Sequence, residues 1–446
     1  MIGKRVDKPL IRKQVETDQS GARRLAQRAV FLVVDRHLPL EETLIDSPDW
    51  LKLAPRDRAF ARLLLATVLR RLGQIDDIIK QFVQRPPEGK DAYVLQILRV
   101  AIAQLLFLET PPHAAVDQAT TMTSGPGMKA MVNAVLRKVS TQRHALLKAQ
   151  DSARLNVPDW LWRSWVEAYG ENDTRLIAQA HTYEPPMDLT VRDPASAAVW
   201  AERLKGRLLP NGSIRVGKPR RVPTMEGFAQ GAWWVQDAAA TLPVKLLGDV
   251  KGKQIIDLAA APGGKTLQLI AGGAQVTAVD QSRERLERLF ENLERMNFSA
   301  DTDVADARHY RPKSLADAVL LDTPCSATGT ARRHPDVVWN KTPATVASLT
   351  VMQDALLKSA AAMVKPGGLL IYACCSLQPE EGPHRIDAFL RRHKSWSRQP
   401  VRGVEVPGGS LFITADGDLR TLPCHWPGDG GIDGFYIARL VHTGPA

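Results

Sequence analysis

From about Ala232 onward the chain alternates short apolar runs with stretches of helical period, and this alternation restricts the fold more than any other feature. Lys253–Ala259, Gln275–Asp280, Thr302–Ala305, Ala318–Leu321 and Leu369–Ala373 read as strands, with Lys265–Ala271, Arg283–Met296 and Thr342–Val364 as helices between them. Such a repeat predicts an α/β fold built on a parallel sheet. Near the end, Leu411-Phe412-Ile413 and Gly434–Leu440 flank a Gly/Pro-rich turn and are expected to form an antiparallel pair.

Ligands of open α/β sheets bind outside the carboxyl ends of the strands, and this chain places reactive groups there. The run Ala318–Leu321 stops at Asp322-Thr323-Pro324-Cys325, where Pro324 ends regular pairing. Gly367–Ala373 stops at Cys374-Cys375-Ser376, so three of the four cysteines fall at the ends of two strands. An isolated buried cysteine is commonly just a small hydrophobe. Thiols at strand ends beside Asp322 and Ser376 are poorly placed for packing and suit a nucleophile with a helper thiol. Consecutive side chains in extended chain point to opposite faces, so only one of Cys374 and Cys375 can face the site.

The first strand leads into a glycine turn, Asp257-Leu258-Ala259-Ala260-Ala261-Pro262-Gly263-Gly264-Lys265-Thr266, whose small residues let a ligand approach the backbone. Gly264-Lys265-Thr266 resembles the tail of a phosphate loop, but that motif requires glycine at position 259, where Ala259 stands. Asp280 ends the second strand, where a carboxylate can accept two ribose hydroxyls. Asp306 follows the third and can accept from an adenine amino group. A single acid is more often a helix cap or a solvated loop charge. Three at successive strand ends, Asp257, Asp280 and Asp306, favour an adenosine-type ligand without pyrophosphate, a description that S-adenosyl-L-methionine fits.

A chain of 446 residues is long enough for two or three domains. Residues 1–20 read as a loose polar tail. Residues 21–145 have helical spacing, with Leu95–Phe107 apolar nearly all round and expected to be the buried helix of a bundle. Residues 146–231 are expected to form a small α+β connector: a helix capped by Asp159, strand-like pieces at Met187–Arg192 and Val222–Glu226, and a helix near Ala195–Leu204. Residues 232–446 hold the alternating pattern. The charge is lopsided: residues 1–150 carry 24 Lys+Arg against 15 Asp+Glu, most of the overall +11. This suggests a polyanion-docking region, with a merely solvated basic surface as the plain alternative. Asn133, Arg137 and Lys138, and in the connector Lys218, Arg220 and Arg221, are candidate contacts. No run of about 18 apolar residues argues for a membrane span. The absence of a secretory signal and of a disulfide framework points to the cytoplasm.

The glycine turn, Asp322-Thr-Pro-Cys-Ser-Ala-Thr-Gly with Arg332-Arg333-His334-Pro335-Asp336, and Cys375-Ser376 together resemble the RsmB/Sun family of RNA cytosine-5 methyltransferases. Arg56-Asp57-Arg58-Ala59, Gln104-Leu105-Leu106, His113-Ala114-Ala115-Val116 and Val132–Arg137 resemble that family's NusB-like RNA-binding domain. The resemblance implies a Rossmann-like methyltransferase domain behind an all-α NusB-like domain. It implies S-adenosyl-L-methionine as cofactor and small-subunit (16S) ribosomal RNA as substrate, with no metal, no membrane and a monomeric enzyme. The family's nucleophile matches Cys375 and its adduct-resolving thiol Cys325. Asp322 would serve the ring nitrogen N3, and Lys265 would help position the base. The cofactor would be held by Asp257, Ala259, Ala260, Ala261, Pro262, Gly263, Gly264, Lys265, Asp280, Asp306 and Asp322. Cys374 stands where the family usually has Thr, and Ala259 where cysteine is frequent. Transfer RNA as substrate, or a non-catalytic assembly factor, are the competing readings; the second leaves the two thiols and Asp322 without a use.

Overall fold

Tyr93–Phe107 is buried along nearly its whole length, because Val94, Ile97, Leu98, Val100, Ala101, Ile102, Leu105 and Leu106 leave no polar stripe to face water. The helices Gln19–Arg36, Pro55–Arg70, Pro112–Met122 and Pro126–Ala149 pack around it. The computed structural model describes residues 19–217 and 221–444, and the chain divides into two compact units, Met1–Gln150 and Asp151–Ala446. The expected tail at 1–20 lies almost wholly outside the described residues, as do Lys218 and Arg220. Among the described residues no helix is long and apolar enough to cross a membrane.

The second unit contains two sheets. The larger runs in the order Trp396–Arg398, Phe435–His442, Val364–Cys374, Ala316–Asp322, Gln254–Leu258, Gln275–Asp280, Asp301–Val304, with Leu419–Thr421 also paired to Phe435–His442. The five strands from Val364–Cys374 to Asp301–Val304 are mutually parallel. In chain order they run 5-4-1-2-3, so the order reverses between Gln254–Leu258 and Ala316–Asp322. A crevice opens at such a reversal, because the connections leave to opposite faces on either side of it. Apolar clusters cover both faces, one with Leu258, Val319, Leu321 and Tyr372, the other with Ile255, Leu320, Ile371 and Ile437.

Three expectations are corrected. Phe435–His442 does not pair with Leu411-Phe412-Ile413: it is antiparallel to Val364–Cys374, with Tyr436 opposite Cys374, and Ser410–Phe412 is a 3₁₀ turn. A wholly buried strand such as Phe435–Leu440 needs neighbours on both sides, and the unpaired edge of Val364–Cys374 supplies one. Val222–Thr224 is likewise a 3₁₀ turn, since Pro223 cannot donate to a ladder. The small sheet is instead Arg207–Leu208, Ile214–Val216, Met187–Val191 and Trp233–Val235. Asp159 is not the cap of its helix: Pro158 holds that position, and Asp159, in the first turn, pairs with Arg154.

Candidate active site

The strands ending at Asp322 and Cys374 are parallel neighbours with Asp322 level with Ala373, so the loops that follow leave the sheet side by side. Thr323 N–H donates to the Ala373 carbonyl and Gly329 N–H to that of Cys375, both at 2.9 Å. A side chain on Gly329 would collide with the Gly434 carbonyl and lie 2.8 Å from that of Cys375, so only glycine lets the loops close. Cys325 Sγ and Cys375 Sγ are thereby brought to 3.3 Å. Cys374 is fully buried in the cluster of Tyr372, Ile386 and Tyr436, yet its thiol also reaches Cys325, so both adjacent thiols meet Cys325 and the expectation that only one would face the site is corrected. The pair faces the thiol of Cys374, the carboxylate of Asp322 and the ammonium of Lys265. Hydrogen bonds from Cys374 and Cys375 hold the Cys325 thiol well below its ordinary value. The same bond, then burial, holds Cys375 well above. Cys325 is therefore the more readily ionised of the two thiols.

Lys265, at the start of the helix after the first strand, reaches across the sheet's reversal point to Asp322, with Nζ 2.6 Å from Oδ2. Burial works against its charge, but the Asp322 carboxylate outweighs that and the pKa rises. The Phe435 ring lies 5.5 Å from the ammonium. A cation, two carboxylate oxygens and two thiols thus converge at the carboxyl edge of adjacent strands.

The glycine turn shapes a neighbouring cleft. Ala259 and Gly263 both adopt positive φ, 58° and 104°, and a Cβ on Gly263 would enter the Leu289 side chain. The cleft is lined by Ala259, Val279, Asp280, Asp306, Pro324 and Met352, among others. Asp280 is anchored by the N–H groups of Ala261 at 3.2 Å and Ser282 at 2.9 Å. Asp306 is held by the Arg308 guanidinium, which keeps its carboxyl at about 2. Apolar walls between two fixed carboxylates fit a nucleoside. Asp257 does not line this cleft: it is buried beneath the turn, where Thr266 Oγ1 donates to Oδ2 at 2.6 Å, and burial raises it to about 7. Ala260, Ala261, Pro262 and Gly264 shape the turn without lining the cleft.

Behind the thiols lie groups to which sequence reasoning gave no role. Glu381, fully buried, accepts from Ser326 N–H at 2.9 Å and from Gln353 Nε2 at 3.0 Å. Arg332 and Arg333 bind Asp433 and Asp237, tying the turn after Gly431 to the loop beyond Cys325; they brace the site from a distance. The helix Asp159–His181 grips the residues after Cys375, with Trp165 Nε1 donating to Gln378 Oε1 at 2.8 Å and the Tyr169 hydroxyl donating to the Leu377 carbonyl.

Known proteins resemble the chain along almost its whole length. Residues 244–441 match the model of the 16S rRNA methyltransferase RsmB/F family, and residues 20–141 that of the NusB family. The chain is 35% identical over 441 residues to the ribosomal RNA small subunit methyltransferase B of Salmonella typhi, covering 95% of this chain and 99% of that protein. The Salmonella arizonae protein of the same name is 34% identical with the same coverage. Among solved structures, PH0851 superposes with a TM-score of 0.72 at 24% identity, covering 96% of this chain and 100% of that one. NSun6 from Pyrococcus horikoshii gives 0.55 at 18%, over 65% of this chain and 99% of its own.

Proposed function

Since the chain belongs to the RsmB/F family of 16S rRNA methyltransferases, we propose that it methylates carbon 5 of a cytosine in small-subunit ribosomal RNA through a covalent bond from Cys375 to carbon 6. The observation that carries this reading is the Cys325–Cys375 pair, 3.3 Å apart beside Lys265 and Asp322. Carbon 5 of cytosine is too weak a nucleophile unaided, and a sulfur added at carbon 6 turns the ring into an enamine. Cys375 passes its proton to Cys325 across their hydrogen bond and adds as thiolate. The electron pair displaced onto the ring is met at N3 by the Asp322–Lys265 pair, which can deliver a proton there. For release, the carbon-5 proton departs, the sulfur–carbon bond breaks and Cys375 leaves as thiolate. Cys325, having released the first proton to solvent once the adduct has formed, is again a thiolate and takes the carbon-5 proton; the electron pair of that bond restores the ring double bond as the sulfur departs, and the N3 proton returns to the Asp322–Lys265 pair.

S-adenosyl-L-methionine, when bound, supplies the methyl group as an electrophilic sulfonium. Asp280, Asp306 and the backbone of Ala259 and Gly263 would hold its nucleoside. The target base must be swung out of its stack to reach thiols between two loops. The basic first unit matches the NusB family and would supply affinity for the RNA backbone.

Bisulfite sequencing of small-subunit ribosomal RNA incubated with the parent protein and with Cys375→Ala tests the reading. The parent should give one protected cytosine and the variant none, with cofactor binding retained by calorimetry. Transfer of the methyl group to another atom, or full activity in the variant, would overturn it.

A further inference from the structure

Behind the thiol pair lies a buried acid that the reaction as described does not use. Glu381 belongs to the short turn Pro379–Glu381 that follows the Cys375 strand, and it is fully buried. Its Oε1 accepts from the Ser326 N–H at 2.9 Å and from Gln353 Nε2 at 3.0 Å, and its Oε2 accepts from the Ser326 hydroxyl. Ser326 directly follows Cys325. Its hydroxyl lies 2.9 Å from that of Ser376, which directly follows Cys375. Gln353 Nε2 also donates to the Pro324 carbonyl at 2.9 Å, and the Tyr372 hydroxyl donates to the Glu381 carbonyl at 2.6 Å. One carboxylate therefore grips the residue after each reactive cysteine, and its side-chain neighbours in these bonds are donors, as an ionised acid requires.

We propose that Glu381 is a positioning residue: through Ser326 and Ser376 it locks the two loops in the register that sets Cys325 against Cys375. The assignment rests on the covalent reading above. A buried carboxylate also carries charge toward the thiols. Burial, then the charge of Cys325, raises its own pKa, and by reciprocity its charge resists thiolate formation on Cys325. The groups facing the pair are Cys374, Asp322, Lys265, Tyr372 and Glu381 itself.

Glu381→Gln keeps the size and removes one acceptor and the charge. Methyl transfer by this variant should fall about a hundredfold in kcat, the scale of a small misplacement of reacting groups. Its affinity for S-adenosyl-L-methionine, read by calorimetry, should stay within about twofold of the parent's, because the charge it loses sits behind the thiols and not in the nucleoside cleft. Iodoacetamide alkylation of Cys325, followed against pH without RNA, should shift to lower pH by about one unit. A fold-only role would leave that profile in place. Ser326→Ala, which keeps the backbone bond, should lower kcat less and in the same direction, and serves where Glu381→Gln does not fold. Parental kcat together with an unmoved alkylation profile in both variants overturns the assignment. A parent that methylates no cytosine sinks the covalent reading instead, and the alkylation profile still reports whether Glu381 governs the pair.

Discussion

At the scale of single residues, the two cysteines are separated in role by proton ownership. Hydrogen bonds lower the Cys325 thiol and the bond to Cys325 raises that of Cys375, so under the covalent mechanism proposed above Cys375 is the thiol that must lose its proton to bond carbon. Cys325→Ala removes the acceptor of the Cys375 proton, so the adduct should form more slowly, with that proton lost to solvent, and then fail to resolve; a slow band carrying both protein and RNA should accumulate on a denaturing gel. A variant that turns over at the parental rate with no such band would show that another group takes the carbon-5 proton. Asp257 gives a second prediction. Its carboxyl titrates near ~3.9 unfolded and at about 7 folded. Below the unfolded value both states are protonated and nothing is lost; as pH rises from about 4 to about 7 the unfolded state ionises first and stability falls. Asp257→Asn, with the Thr266 hydroxyl turning to accept, should stabilise the cofactor-free protein by about 2–4 kcal/mol at pH ~8 and hardly at pH ~4. Urea unfolding across that range checks the sign. Cys325, Cys375, Asp280 and Asp322 were legible because each ends an apolar run. Glu381 was not: in Pro379-Glu380-Glu381 nothing local says which acid turns inward, and the partners that decide it, Ser326 and Gln353, lie 55 and 28 residues away.

At the scale of elements, Gln275–Asp280 and Arg283–Met296 lie where the hydrophobic period placed them, because both elements bury a continuous apolar stripe. The final strand escaped for the opposite reason. Phe435–Leu440 is buried throughout, so its pattern carries no face, and its partner is chosen by which edge stands open. The helix Asp159–His181 shows how a neighbouring element disciplines the site: Trp165 holds Gln378 and Ser164 accepts from Gln378 Nε2 at 2.8 Å, while Arg420, from the strand Leu419–Thr421, holds the Ser376 carbonyl at 2.6 Å. Trp165→Phe keeps most of the packing and leaves Gln378 Oε1 unpaired, which costs about 1–3 kcal/mol. We expect a lowered urea midpoint and a slower single-turnover methyl transfer with unchanged cofactor affinity. If stability falls while single turnover stays at the parental rate, the helix supports the fold and not the register of Cys375.

At the scale of the whole chain, charge and chemistry are divided between the two units. Residues 1–150 carry a surplus of nine positive charges and residues 151–446 a surplus of only two, yet all four cysteines and the cleft beside the glycine turn lie in the latter. The apolar clusters beneath the site are likewise drawn from residues after 150, so the second unit has the core to fold alone. Binding to a polyanion through released counterions weakens with salt in proportion to the phosphates neutralised. A protein shortened to residues 151–446 should bind S-adenosyl-L-methionine as the parent does. Its affinity for ribosomal RNA should fall about tenfold or more at ~0.15 M salt, with a shallower slope of log affinity against log salt. Filter binding over a salt series, paired with calorimetry on the same preparation, separates the outcomes. Loss of affinity with the slope unchanged would mean that the first unit reads the shape of the RNA and not its charge. Parental affinity and slope would place the whole RNA-binding surface on the catalytic unit, leaving the basic surplus as solvated helix surface.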